Sequence, residues 1–183
     1  MVVVGGSGKS EYQASVEMWN PADGAWSPLA RMVAGRSVHT ASLLPDGRLF
    51  IVGAVGLNVV GGVETHRNPE IYDFETDKWH LTSEINIARS GHTLSELPAG
   101  QLFLTGGTDD LGFHTTAEIY DPSTETWTTV GEMSVARLSH QATVLDNGRV
   151  PAYGRIYRCQ IAISYGNLHP VAPTSAYGCL DWR

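Results

Sequence analysis

The chain has 183 residues, 42% of them hydrophobic, enough for one domain with a substantial core. A formal net charge of -7 excludes a broad basic footprint for nucleic acid, and no apolar run approaches the ~20 residues of a membrane helix. Charge is uneven, since residues 151–183 hold three Arg and one Asp while residues 1–150 hold nine basic and eighteen acidic groups. Both cysteines, Cys159 and Cys179, lie in that tail, and their spacing matches no zinc pattern or disulfide framework. The start Met1-Val-Val-Val-Gly-Gly lacks the charged start and long apolar core of a signal peptide.

In chain order, a first apolar run ends at Gly5-Gly6, and Gly6-Ser7-Gly8-Lys9-Ser10 follows. A phosphate-binding loop would need Gly at position 3, where this chain has Val3, so the glycines read as a strand exit and not as a phosphate cradle. Glu17-Met-Trp-Asn-Pro21 leads through a turn to Trp26. Arg36-Ser-Val-His39 then opens a strand predicted over 38–44. Pro45-Asp46-Gly47 ends it, with Asp-Gly as the two central residues of a predicted type I′ hairpin turn. Leu49-Phe-Ile-Val52 is apolar without alternation, the pattern of a strand covered on both faces.

The same phrases return. Glu70-Ile-Tyr-Asp-Phe74 leads to Trp79, and Glu118-Ile-Tyr-Asp-Pro122 leads to Trp127. Arg89-Ser-Gly-His92 precedes Ala99-Gly100 and Leu102-Phe-Leu-Thr-Gly-Gly107, and Arg137-Leu-Ser-His140 precedes Asn147-Gly148. The anchors move by 53 residues and then by 48, and a period near 50 made of short apolar runs and Gly-rich turns is the signature of propeller blades. The expected fold is therefore all-β, an arc of four-stranded antiparallel blades with too few blades to close. It comprises part of a blade (2–30), blades over 36–83 and 89–131, and part of another from 137. After residue 150 the phase breaks: Pro151 falls where Phe50 and Phe103 stood, Trp182 arrives late, and 151–183 reads as a degenerate or out-of-register tail.

These residues resemble the kelch repeat, whose pattern is Arg-x-x-His, an apolar run ending in Gly-Gly, Tyr-Asp and then Trp. The turns Leu-Pro-Asp-Gly-Arg-Leu and Tyr-Asp-Pro-x-Thr-x-Thr-Trp look most like microbial kelch proteins and galactose-oxidase-like propellers. The resemblance implies a scaffold, adaptor or enzyme, and it favours an extracellular setting while leaving the compartment unknown. The copper radical oxidases of this group need a Cys–Tyr crosslink, and no cysteine precedes Cys159, so their site does not carry over onto the repeats.

His39, His92 and His140 recur in register. Zinc needs its ligands within about 2.1 Å of one point, whereas equivalent positions on adjacent blades stand roughly 10 Å apart. Their expected role is hydrogen bonding between blades, with no metal and no cofactor. One Trp per repeat is expected to pack between blades. What varies is the connection from second to third strand, at 7–16, 54–69 and 108–116, all on one face. Thr108, Asp109, Asp110, His114, His66 and Arg67 are its richest polar positions and the candidate binding residues. The expected function is a non-catalytic scaffold that binds a protein or glycan there, with no nucleic-acid or membrane partner and with self-association through exposed terminal blades. Two alternatives stay open: a fragment of a kelch-type enzyme whose active site lies elsewhere, and a truncated product without function.

Overall fold

The computed structural model describes residues 1–8, 11–57 and 62–154. Three antiparallel meanders carry the architecture. The first has three strands, Val2–Val4, Val16–Trp19 and Trp26–Leu29. The second has four, Thr40–Leu43, Leu49–Val52, Glu70–Asp73 and Lys78–Leu81, and the third repeats it with Thr93–Glu96, Leu102–Thr105, Thr116–Asp121 and Thr126–Glu132. A fourth begins with Gln141–Ala142 paired to Ala152–Tyr153. All described strand pairs are antiparallel, and the described residues form no helix.

The unalternating strands sit between two cores, as expected for blades pressed face to face. Leu49 and Ile51 point back to a cluster with Val2, Val4, Val16 and Met32, while Phe50 and Val52 point forward to one with Leu102, Leu104 and Tyr120. Each fully buried Leu, Ile or Phe contributes roughly 1.5–3 kcal/mol of hydrophobic stabilisation. Trp79 and Trp127 close these cores from the rim. Their indole N–H groups donate to the Ala30 and Ser83 carbonyls of the preceding blade at 2.8 and 3.0 Å, so the inter-blade role expected for Trp holds.

Two local expectations are corrected. The hairpins are not type I′. Gly47 N donates to the Leu44 carbonyl and Leu44 N to the Arg48 carbonyl, both at 2.8 Å, and of the three loop residues only Gly47 has positive φ. This is a type I turn over Pro45-Asp46 closed by a left-handed glycine, and 97–101 and 145–149 repeat its bonds. Pro45 suits the first turn position, where its ring fixes φ near −65°, and Asp146 takes that position in the third hairpin.

The predicted strand over 38–44 is also broken. Val38, Gly91 and Ser139 have φ of 58, 60 and 48°, so the residue before each His is left-handed. Arg36–Ser37 consequently belongs to a different sheet, with Val55–Leu57 and Val63–Thr65, and only Thr40–Leu43 joins the blade. The break puts backbone groups to use: Gly91 N donates to the Val38 carbonyl at 3.3 Å and Ser139 N to the Gly91 carbonyl at 2.7 Å, linking successive blades.

Candidate functional site

Each Arg-x-x-His phrase is a structural joint. Arg36 is fully buried and pairs with Glu70, while its other guanidinium nitrogen donates to the Asn68 carbonyl at 3.2 Å. Arg89 repeats the arrangement with Glu118 at 2.8 Å and with the Gly106 carbonyl at 2.9 Å. The carboxylates are shared: Glu70 also accepts from Val33 N at 2.7 Å, and Glu118 from Asn86 N at 2.9 Å, so each fastens the linker that enters its own blade. Burial pulls the Arg36 and Arg89 pKa values down, and the paired carboxylates oppose it.

The histidines tie blades together as expected. His92 Nε2 lies 2.7 Å from the hydroxyl of Thr40, and His140 Nε2 lies 3.0 Å from that of Thr93. Each partner Thr directly follows the preceding blade's His. Burial, then the neighbouring Arg36, Arg89 or Arg137, holds all three imidazoles below their ordinary pKa, His92 at about 3. Gly5, Gly53 and Gly106 make room for these rings. All three have φ between 59 and 66°, and a Cβ on any of them would strike the next blade's Arg carbonyl and crowd its His ring. The following residue donates its N–H to the same Arg carbonyl: Gly6 to Arg36 at 2.8 Å, Ala54 to Arg89 at 3.1 Å and Gly107 to Arg137 at 2.8 Å. The Gly6 amide is thus already engaged, and Lys9 and Ser10 lie outside the described residues.

The variable connections project beyond these joints, on the face that also carries the inter-blade linkers. Met32, Ile85 and Met133 each donate an amide to the connection of the preceding blade, at Ala14, Arg67 and Thr115, which proves the shared face. Two connections continue as hairpins, Val55–Leu57 with Val63–Thr65 and Thr108–Asp109 with Gly112–Phe113.

The six candidate residues have distinct placements. Thr108 is buried, its hydroxyl donating to the Gly112 carbonyl at 2.8 Å, and its backbone pairs with Ser90. Asp109 accepts from Leu111 N at 2.8 Å and Gly112 N at 3.1 Å, and its other oxygen stands 3.3 Å from His114 Nε2. Burial lowers the His114 pKa and Asp109 raises it. His66 is buried against Gly56, with Glu64 4.0 Å away. Arg67 donates to the Ile85 and Asn86 carbonyls at 3.0 Å, fastening its hairpin to the linker. Asp110 is exposed at the tip of its hairpin. Backbone bonds join the two hairpin bases across the blade boundary, from His66 N to Ala54 O, Ala54 N to Arg89 O, and Thr108 to the adjacent Ser90.

Apolar residues were missed by a search for polar side chains. Leu111, 94% exposed, follows Asp110 directly, and Leu57 and Val63 face each other in register at the other hairpin, both exposed. The available signal was a large apolar residue between turn formers, Asp109-Asp110-Leu111-Gly112, where no core needs it.

A model of the kelch motif matches residues 1–33 and 89–134. Those two segments carry kelch repeats. Among proteins of known identity, Kelch-like protein 15 from Danio rerio is 31% identical over 84 residues, covering 45% of this chain and 14% of that protein. Among solved structures, that of YjhT superposes with a TM-score of 0.66 at 18% identity, covering 76% of this chain and 52% of the YjhT chain. The chain thus spans about half of the YjhT chain and a small part of Kelch-like protein 15.

Proposed function

We propose that this kelch chain is a binding module whose ligand is a protein seated on the face that carries the second-to-third-strand hairpins. The observation behind this reading is the pairing of rigid bases with exposed apolar tips. Thr108, Asp109, His114, His66 and Arg67 hold the hairpins in shape through internal contacts, and Leu111, Leu57 and Val63 stand out to solvent. Presenting apolar side chains on fixed backbone lowers the ordering cost of association. Asp110 at the tip and the acidic balance of residues 1–150 favour a neutral or basic partner surface. The similarity to a kelch-like protein supports the scaffold reading.

The test is affinity capture with the immobilised chain and its Asp110→Ala/Leu111→Ser variant, followed by direct binding measurement for each captured protein. The reading requires a protein that binds the unchanged chain and loses roughly tenfold or more in affinity with the variant. Ligands that are glycans only, or a partner indifferent to both changes, would overturn it. Turnover of a small substrate would favour the enzyme alternative.

A further inference from the structure

The outer strand of each meander has a blunted edge. Trp26–Leu29 contains Pro28, Lys78–Leu81 opens on a lysine, and Thr126–Glu132 bulges at Val130. Proline, charge and bulges keep an open edge from pairing with another chain. The sheet of Arg36–Ser37, Val55–Leu57 and Val63–Thr65 ends differently. Its last strand, Val63–Thr65, has a β-branched residue at each end, with no proline and no bulge. This strand belongs to the second blade, which packs against the first meander on one face and the third on the other.

The register fixes which backbone groups this strand turns outward. His66 N donates to the Ala54 carbonyl, so Ala54 and His66, and two residues along Gly56 and Glu64, stand at hydrogen-bonded positions. The N–H and C=O groups of Val63 and Thr65 therefore point away from Val55–Leu57, and no described residue bonds to them. Side chains alternate in step. Leu57 and Val63, 42% and 61% exposed, share one face with Val55 and Thr65, whereas Glu64 lies on the other face with the buried His66. Glu64 Oε1 stands 4.0 Å from His66 Nδ1, and burial, then Arg36, holds that ring below its ordinary pKa. Among the described residues no Lys or Arg comes within ion-pair range of Glu64, so its charge stays unbalanced.

Resting on the reading of this face as a protein-binding surface, we propose that the partner contributes an extended segment that pairs with the Val63–Thr65 edge and carries a lysine or arginine opposite Glu64. Its backbone bonds the outward groups of Val63 and Thr65. Apolar residues on either side of the basic one widen the face of Leu57 and Val63. Strand addition of this kind takes affinity from main-chain bonds and specificity from alternate side chains. Opposite charges directly across a sheet stabilise the pairing, and like charges destabilise it. This disfavours a second copy of the chain, because two such edges pairing antiparallel would set Glu64 against Glu64.

The test is a capped peptide, Ser-Thr-Val-Lys-Val-Thr-Ser, titrated into the full chain and followed by calorimetry and amide hydrogen exchange. The Val63 and Thr65 amides, open in the free chain, should become protected as the peptide binds. N-methylation of both peptide valines should weaken binding roughly tenfold or more, because it removes the N–H groups that face the edge. Glu64→Lys, with circular dichroism matching that of the unchanged chain, should reverse the charge preference, so that a peptide with Glu in place of Lys becomes the tighter ligand. No binding, equal binding of the N-methylated peptide, an unchanged charge preference, or protection that comes instead from pairing of two copies would each overturn the proposal. A captured protein that loses affinity with Asp110→Ala/Leu111→Ser but is indifferent to Glu64→Lys would leave the binding face standing and overturn strand addition alone.

Discussion

His92 Nε2 lies 2.7 Å from the Thr40 hydroxyl, so a side chain of the third blade grips the second at the residue following that blade's own histidine. This ring is buried, and burial together with Arg89 holds its pKa at about 3, against about 6.5 when unfolded. The unfolded chain therefore binds more protons than the folded one between these values. The stability contributed by neutral His92 is complete above pH 6.5 and is lost as pH falls toward 3. At pH 5 the loss is about 2 kcal/mol for this group. Urea unfolding at pH 7 and pH 5 should show it, and His92→Gln should flatten the dependence. Removing the ring altogether, in His92→Ala or His39→Ala, should cost about 1–3 kcal/mol at pH 7.

Gly53 stands against that same ring. Its φ is 63°, and a methyl group would strike both the Arg89 carbonyl and His92. Gly53→Ala should cost about 2–4 kcal/mol, combining left-handed strain with overpacking. Gly47→Ala shares only the strain, because its φ is 88° but open space surrounds it, and should cost about 1 kcal/mol. Equal losses in thermal unfolding would show that blade contact is not the reason for the first glycine.

The Arg89–Glu118 pair is fully buried, and Glu118 also accepts the linker amides of Asn86 and Ile87. Glu118→Ala leaves a guanidinium and two amides without their acceptor and should cost about 3–5 kcal/mol. Glu75→Ala, an exposed carboxylate, should stay within about 0.5 kcal/mol. Denaturant midpoints of the two variants provide the comparison.

Val38 takes a φ of 58° with its side chain 54% exposed, a conformation that a β-branched residue pays for and that Gly91 adopts freely in the next repeat. Val38→Gly should raise stability by about 0.5–1 kcal/mol, strain relief outweighing the entropy of the freer unfolded chain. A lower melting temperature for this variant would contradict the strain.

The sequence by itself determined the blades, because propeller repeats are built from local signals. Pro45-Asp46-Gly47 sets a turn, Leu49-Phe-Ile-Val52 demands cover on both faces, and Trp79 recurs in phase with Trp127. It also determined that the histidines join blades, since three equivalent rings on separate blades cannot meet at one metal. Only the tertiary structure decided how. The left-handed residue before each His splits the Arg-x-x-His phrase between two sheets, and nothing in Val38 announces it, because the conformation is imposed by backbone bonds to neighbouring blades. The shared carboxylates follow the same logic: Glu70 and Glu118 face a guanidinium more than twenty residues away and a linker amide beyond it. In the candidate face, polarity in the sequence located the hairpins. Which of their residues are spent inside, as Asp109 and Arg67 are, and which stand out, as Leu111 does, depends on contacts that form only when the blades stack.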